Sequence, residues 1–230
     1  MLIKDMDRIV FAGDSVTDMG STNPVGEGLF DNLGQGYVRR VDNLLGALVP
    51  EMRFRVTNFG IGGNTSRDLL ARFRRDVIDL RPDVVSIMIG INDVWRQFDT
   101  PAATDEQVMP EEYEQNLREM IRLSREAARV VVLMTPYYME ISREDTMRAR
   151  MDEYGEICRK LAAEYDLPFV DLQAEFDAYF KTRGVDGRMT HHSTYIARDR
   201  IHPNQVGATL IARAFLRALG LELKLEKTEG

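Results

Sequence analysis

A serine stands where an apolar run ends: Arg8 to Gly13 reads RIVFAG, and Asp14-Ser15 follow at once. Near the other end of the chain, Asp199 and His202 lie three residues apart in DRIHP. A serine hydroxyl is a weak nucleophile near neutral pH and needs a base to take its proton. Histidine has a suitable pKa, and a carboxylate beside it fixes its tautomer and stabilises the imidazolium. The short spacing lets both side chains converge from one loop or first helical turn. A carbonyl under attack develops an oxyanion, which needs fixed donors. Gly62-Gly63, ahead of Thr65, offers backbone N–H groups with no Cβ in the way, and the Asn92 amide offers a neutral side-chain donor. The chemistry within reach of this set is nucleophilic acyl transfer.

None of these residues identifies itself alone. Gly-Asp-Ser are ordinary turn residues. Asn92 suits a turn, and His202, before Pro203, can cap a helix or face solvent. The chain has three histidines, His191, His192 and His202, which shortens the list of bases without choosing one. Asp14 and Asp93 flank the set and read as hydrogen-bonding supports. Trp95, the single tryptophan, has a face suited to the C–H surface of a sugar and equally to core packing. Arg96 can bond substrate or pair with an acid, and Tyr137, beside Tyr138, can line the pocket. The expected substrate contacts are Asp14, Trp95, Arg96 and Tyr137. On paper, His191, His192, Asp199 and His202 would satisfy a zinc ion. Adjacent loop histidines rarely ligate together, and His202 has the better role as base, so neither a metal nor a cofactor is expected.

The elements that carry these residues alternate. RIVFAG, RFRVTNFG, DVVSIMIGI, RVVVLMTP and PFVDL read as five strands. The near-continuous apolar run in DVVSIMIGI points to a parallel sheet covered on both faces. Between them, GYVRRVDNLLGALVP, TSRDLLARFRRDVIDL, PEEYEQNLREMIRLSREA, EDTMRARMDEYGEICRKLAAEY and QAEFDAYFKT have helical spacing. Thr65 suits an N-cap. In the last helix, PNQVGATLIARAFLRALG, Pro203 suits a first position and Gly220 a C′ stop. The pattern predicts one doubly wound α/β domain over 1–230 with a five-stranded parallel sheet. In such sheets ligands bind beyond the carboxyl ends of the strands, where Ser15, Gly63 and Asn92 fall. MGSTNPVGEGLFDNLGQG and RGVDGRMTHHSTYIARD read as long loops. The tail LELKLEKTEG reads as a short ordered piece that frays.

Bulk properties exclude other classes. Hydrophobic residues make up 44%, enough for a sizeable core. The net charge of -7 argues against nucleic acid and against anionic membrane surfaces. No apolar run approaches the ~20 residues of a membrane span, and no leader is evident, so a cytoplasmic location is expected. The lone Cys158 allows no intrachain disulfide and reads as a core residue. Amphipathic helices and the Leu-bearing tail leave room for a homo-oligomer.

FAGDSVTDMG, NFGIGGNTSRDL, IGINDVW and DRIHP, in that order from Phe11 to Pro203, resemble the four signature blocks of the SGNH, or GDSL, esterase/lipase superfamily. The resemblance implies a flavodoxin-like three-layer fold, acyl-enzyme chemistry and no metal. It makes Ser15 the nucleophile, His202 the base and Asp199 its partner, with Ser15 N–H, Gly63 N–H and the Asn92 side chain as oxyanion hole. One departure stands out. The second block often reads Gly-x-Ser-Gly and here is Gly60-Ile61-Gly62-Gly63, which loses a hydroxyl but retains the donor position.

Longer strings, among them SIMIGINDVWRQFD, LMTPYYME, DTMRARMDEYG and LIARAFLRALG, are similar to bacterial intracellular acetyl xylan esterases of that superfamily. That similarity implies removal of acetyl groups from xylo-oligosaccharides. The segment GVDGRMTHHSTYIAR diverges from that similarity. A lysophospholipase, thioesterase or aryl esterase of the same superfamily shares the chemistry. Two remoter alternatives are a phosphohydrolase using Asp14 and a non-catalytic carbohydrate-binding protein. DSVTD lacks a second aspartate two residues after Asp14, and the intact residue set argues against lost activity.

Overall fold

The computed structural model describes residues 1–22, 25–28, 30–101, 103–182 and 199–222. The strands are β1 (Arg8–Gly13), β2 (Gly26–Glu27), β3 (Arg55–Gly60), β4 (Val84–Met88), β5 (Val130–Met134) and β6 (Phe169–Val170). They form one sheet in the order β2-β3-β1-β4-β5-β6. Five strands are parallel, as the alternating pattern predicts, and β2 runs antiparallel to β3 at the edge. The sheet is therefore mixed and six-stranded, not five-stranded. A two-residue Gly-Glu strand has no alternation to detect. It exists because Gly26 lies close: a Cβ there would stand 2.8 Å from Asn32 C=O and 3.0 Å from Asn58 C=O.

The helices are α1 (Ser15–Asp18), α2 (Tyr37–Leu48), α3 (Ser66–Asp76), α4 (Ile91–Asp99), α5 (Pro110–Ala127), α6 (Thr146–Tyr165), α7 (Leu172–Thr182) and α8 (Gln205–Ala218). α2 and α8 pack together, and Phe11 of β1 meets Tyr37 and Phe215 from them at ring distances of 5.6 and 4.9 Å. α3, α5 and α6 form the other layer. With both faces covered, β4 and β5 are buried at every residue. Cys158 is buried too, its sulfur 3.1 Å from the Tyr113 hydroxyl. No helix among the described residues is long and apolar enough to cross a membrane.

Helix ends follow local chemistry. Thr65 caps α3 in a reciprocal box with Asp68. The last helix starts later than its Pro203 suggests. Asn204 is its N-cap, accepting from Val206 and Gly207 N–H, so Pro203 lies outside the helix. Gly220, at φ +81°, ends it: its N–H bonds Arg217 C=O, and Leu221 N–H bonds Leu216 C=O, both at 2.9 Å. α1 and α4 were not separable from the strands before them. Each begins within three residues of a buried strand end, where an apolar run cannot show that its period has changed. The tail from 223 onward and the loop 183–198 lie outside the described residues.

Candidate active site

β1 delivers Ser15 through a tight strand-to-helix turn. A Cβ on Gly13 would fall 2.5 Å from Met88 C=O, so the strand end cannot carry a side chain. Asp14 is the N-cap of α1 and accepts from Val16 N–H at 3.0 Å. Ser15 is the first residue of α1, and its own N–H has no partner among the described residues.

Ser15 Oγ lies 2.8 Å from His202 Nε2, and His202 Nδ1 lies 2.6 Å from Asp199 Oδ2. Asp199 Oδ1 accepts from the N–H groups of Ile201 at 2.9 Å and His202 at 3.0 Å. Burial alone would raise the Asp199 pKa, but bonds from the His202 ring and the two backbone N–H groups outweigh it and hold the carboxyl below its usual range. An ionised Asp199 accepts the Nδ1 proton, which leaves the Nε2 lone pair facing the serine hydroxyl.

Ile61–Asn64 form a turn closed by Asn64 N–H to Ile61 C=O at 3.2 Å, with Gly63 at φ +81°. That conformation favours glycine. Gly63 N–H is unpartnered among the described residues. Asn92, in the first turn of α4 and nearly buried, gives one amide hydrogen to Asn64 C=O at 2.9 Å and keeps the other. Behind it, the Asp93 carboxylate accepts from Ser66 N–H at 2.9 Å and from Ser66 Oγ.

Arg72 of α3 underlies this corner. Its Nη2 donates to Gly13 C=O at 3.1 Å and Phe59 C=O at 3.0 Å, and its Nε to Asn64 Oδ1 at 2.8 Å. Asp76 pairs with it at 3.1 Å. The Asp199–His202 turn is held from the other side. Tyr137 Oη donates to Ile201 C=O at 2.9 Å and Met139 N–H to Arg200 C=O at 2.8 Å, while the Arg200 guanidinium pairs with Glu140.

The structure thus gathers Ser15, Gly63, Asn92, Asp199 and His202 at the carboxyl edge of the sheet. The expected substrate contacts divide. Asp14 is 2% exposed and Tyr137 3% exposed, so both are buried rather than standing open to solvent. Asp14 serves α1, and Tyr137 packs tilted against Phe176 at a ring distance of 4.5 Å and bonds the histidine turn. Their chemistry suggested a pocket; packing turned both inward. Trp95 lies on α4, half-buried against the core, and Arg96 pairs with Asp99 on the same helix. His191 and His192 lie outside the described residues. Among the described residues, no three potential metal ligands cluster. Sequence reasoning missed Arg72, Asn64, Glu140 and Arg200. Asn64 and Arg200 sit inside the recognised blocks, and Arg72 stands four residues from its acid.

Burial pushes the Asp14 carboxyl up to about 7, with Val16 N–H acting against it and Asp93 adding repulsion. Asp93 is pushed up to about 7, again by burial, against its bonds from Ser66. Neither carboxyl is hydrogen-bonded to Ser15 or His202 among the described residues, whereas Ser15 and His202 are bonded to each other.

Relatives carry the same frame. The chain is 46% identical over 222 residues to the acetylxylan esterase of Geobacillus stearothermophilus, covering 96% of this chain and 98% of that one. The crystal structure of that organism's acetylxylan esterase Axe2 superposes with a TM-score of 0.91 at 44% identity, over 99% of this chain and 100% of that one. An alpha/beta hydrolase enzyme from the metagenome of Lake Arreo, Spain, superposes at 0.90 with 45% identity, over 97% and 100%. Residues 11–210 match the GDSL-like Lipase/Acylhydrolase family, and the chain belongs to it.

Proposed function

We propose that the protein is a serine esterase that removes acetyl groups from acetylated sugars, with xylo-oligosaccharides as the first substrate class. The observation that carries the reading is the relay from Ser15 Oγ to His202 Nε2 at 2.8 Å and from His202 Nδ1 to Asp199 at 2.6 Å. His202 takes the Ser15 proton as the oxygen attacks the acetyl carbonyl. Ser15 N–H, Gly63 N–H and the second Asn92 amide hydrogen hold the oxyanion. His202 then protonates the departing sugar oxygen. Water, activated by the same ring, hydrolyses the acetyl-enzyme. Asp199 stays ionised and holds the imidazolium.

The acetyl-sugar substrate is supported by the likeness to acetylxylan esterases at 44–46% identity over nearly the whole chain. A cytoplasmic setting goes with this reading, supported by a single cysteine that is buried and unpaired. The test is acetate release from acetylated xylo-oligosaccharides by the wild type and Ser15→Ala, with chelator present. Turnover that disappears in the variant is expected. Near-full activity of Ser15→Ala would overturn the mechanism. Cleavage of 4-nitrophenyl acetate without cleavage of the sugars would overturn the substrate class and leave the mechanism.

A further inference from the structure

We infer that Asp18 determines specificity, its carboxylate accepting a hydrogen bond from the sugar hydroxyl next to the acetylated one. This rests on the acetyl-sugar reading above.

Asp18 ends α1, three residues after Ser15, so both side chains lie on one face of the same turn. Its Oδ1 accepts from Ser21 N–H at 3.0 Å and Ser21 Oγ at 2.8 Å. Its Oδ2 has no hydrogen-bond or ion-pair partner among the described residues, and the residue is half-buried. The backbone beneath is wedged in place. A Cβ on Gly60 would fall 2.1 Å from Asp18 N, and one on Gly34 would fall 2.4 Å from Asp18 C=O. Asn58 Nδ2 also holds the neighbouring Thr17 C=O at 2.7 Å. The carboxylate is therefore anchored at one oxygen and open at the other.

Gly62 decides what the open oxygen faces. A Cβ built on Gly62 stands 3.9 Å from Asp18 Oδ2 and 3.9 Å from Ser15 Cβ, and meets nothing else within 4 Å. The space over Gly62 is bordered by the serine and the carboxylate together. A hydroxyl-bearing side chain at 62 would reach Oδ2; glycine leaves that oxygen to a ligand. A partly acetylated sugar carries a hydroxyl on the carbon next to the ester, and a carboxylate accepts from it through a charge-assisted bond. An acyl chain or aryl leaving group has no donor there and would desolvate the charge without compensation.

The test compares three substrates: a methyl xyloside monoacetate with the neighbouring hydroxyl, its deoxy analogue without it, and 4-nitrophenyl acetate. For the wild type, kcat/KM for the monoacetate should exceed that for the deoxy analogue by about 10- to 100-fold, the range of a hydrogen bond to a charged group. In Asp18→Ala that preference should vanish, and the ratio of monoacetate to nitrophenyl ester should fall by the same factor. Gly62→Ser should shift the ratio the same way, and it serves where Asp18→Ala fails to fold. An Asp18→Ala enzyme that keeps the wild-type preference overturns this inference alone. A wild type that cleaves the nitrophenyl ester but no sugar acetate overturns the substrate reading and this one with it.

Discussion

Arg72 Nε donates to Asn64 Oδ1 at 2.8 Å, and the Asn64 carbonyl in turn accepts from Asn92 Nδ2 at 2.9 Å. The same guanidinium bonds the carbonyls of Gly13, last in β1, and Phe59, next to last in β3. One buried side chain thereby registers the three elements that carry Ser15 N–H, Gly63 N–H and the Asn92 amide. Displacing reacting groups by about 1 Å can cost 10²-fold.

Arg72→Met is therefore expected to lower kcat by about 10- to 100-fold with little change in KM, and Arg72→Lys to lose less. Titration of competent sites with a fluorophosphonate separates this from partial unfolding. If kcat per titrated site is unchanged and only Tm falls, Arg72 serves stability and not the donors.

On the proposed mechanism Asn92→Ala removes one oxyanion donor, so it is expected to reduce kcat by roughly 10²- to 10³-fold. Steady-state kinetics on the sugar acetate check it. A loss below tenfold would take Asn92 out of the oxyanion site.

Asp14 sets a pH dependence of stability. An unfolded aspartate titrates near about 3.9, and the folded one is pushed up to about 7 by burial. Between those values the folded protein binds a proton that the unfolded chain has lost, so stability falls as pH rises and levels off above the folded pKa. Asp93 acts in the same window. Asp199, held low, acts in the opposite sense and only below about pH 4. Asp14→Asn retains an oxygen for Val16 N–H and cannot ionise. Between pH 5 and 8 its stability should fall by roughly 2–3 kcal/mol less than that of the wild type. Equal drops in thermal melts would refute the burial effect.

Arg200 has φ +60°, a left-handed conformation that side chains adopt at a cost. Its pairing with Glu140, whose carbonyl the buried Arg148 also holds, keeps the Asp199–His202 turn in place. Arg200→Gly relieves the backbone and removes the pair; Glu140→Gln removes the pair alone. Each is expected to lower kcat by about tenfold, and the double variant no further. Additive losses in that cycle would show that the two residues do not act through one another.

Ser15, Gly63 and Asn92 could be singled out before their geometry was known because they follow apolar runs that stop, and Asp199 and His202 because an acid and a base stand three residues apart; their roles came from four blocks standing in order, not from any one residue. Buried strands show as apolar runs that stop abruptly, and a parallel sheet places those stops at one edge. The sequence by itself thus determined the fold class, the strand ends and which residue types stood there. Helix α4 was hidden because an apolar run passes from strand to helix without a visible break. Only the tertiary structure decided the rest. Asp14 and Tyr137 have pocket-like chemistry but are buried, β2 exists only through its contact with β3, and Arg72 acts through partners on three elements. Periodicity is a property of neighbours along the chain, whereas burial and convergence depend on groups brought together by packing. No local pattern encodes them.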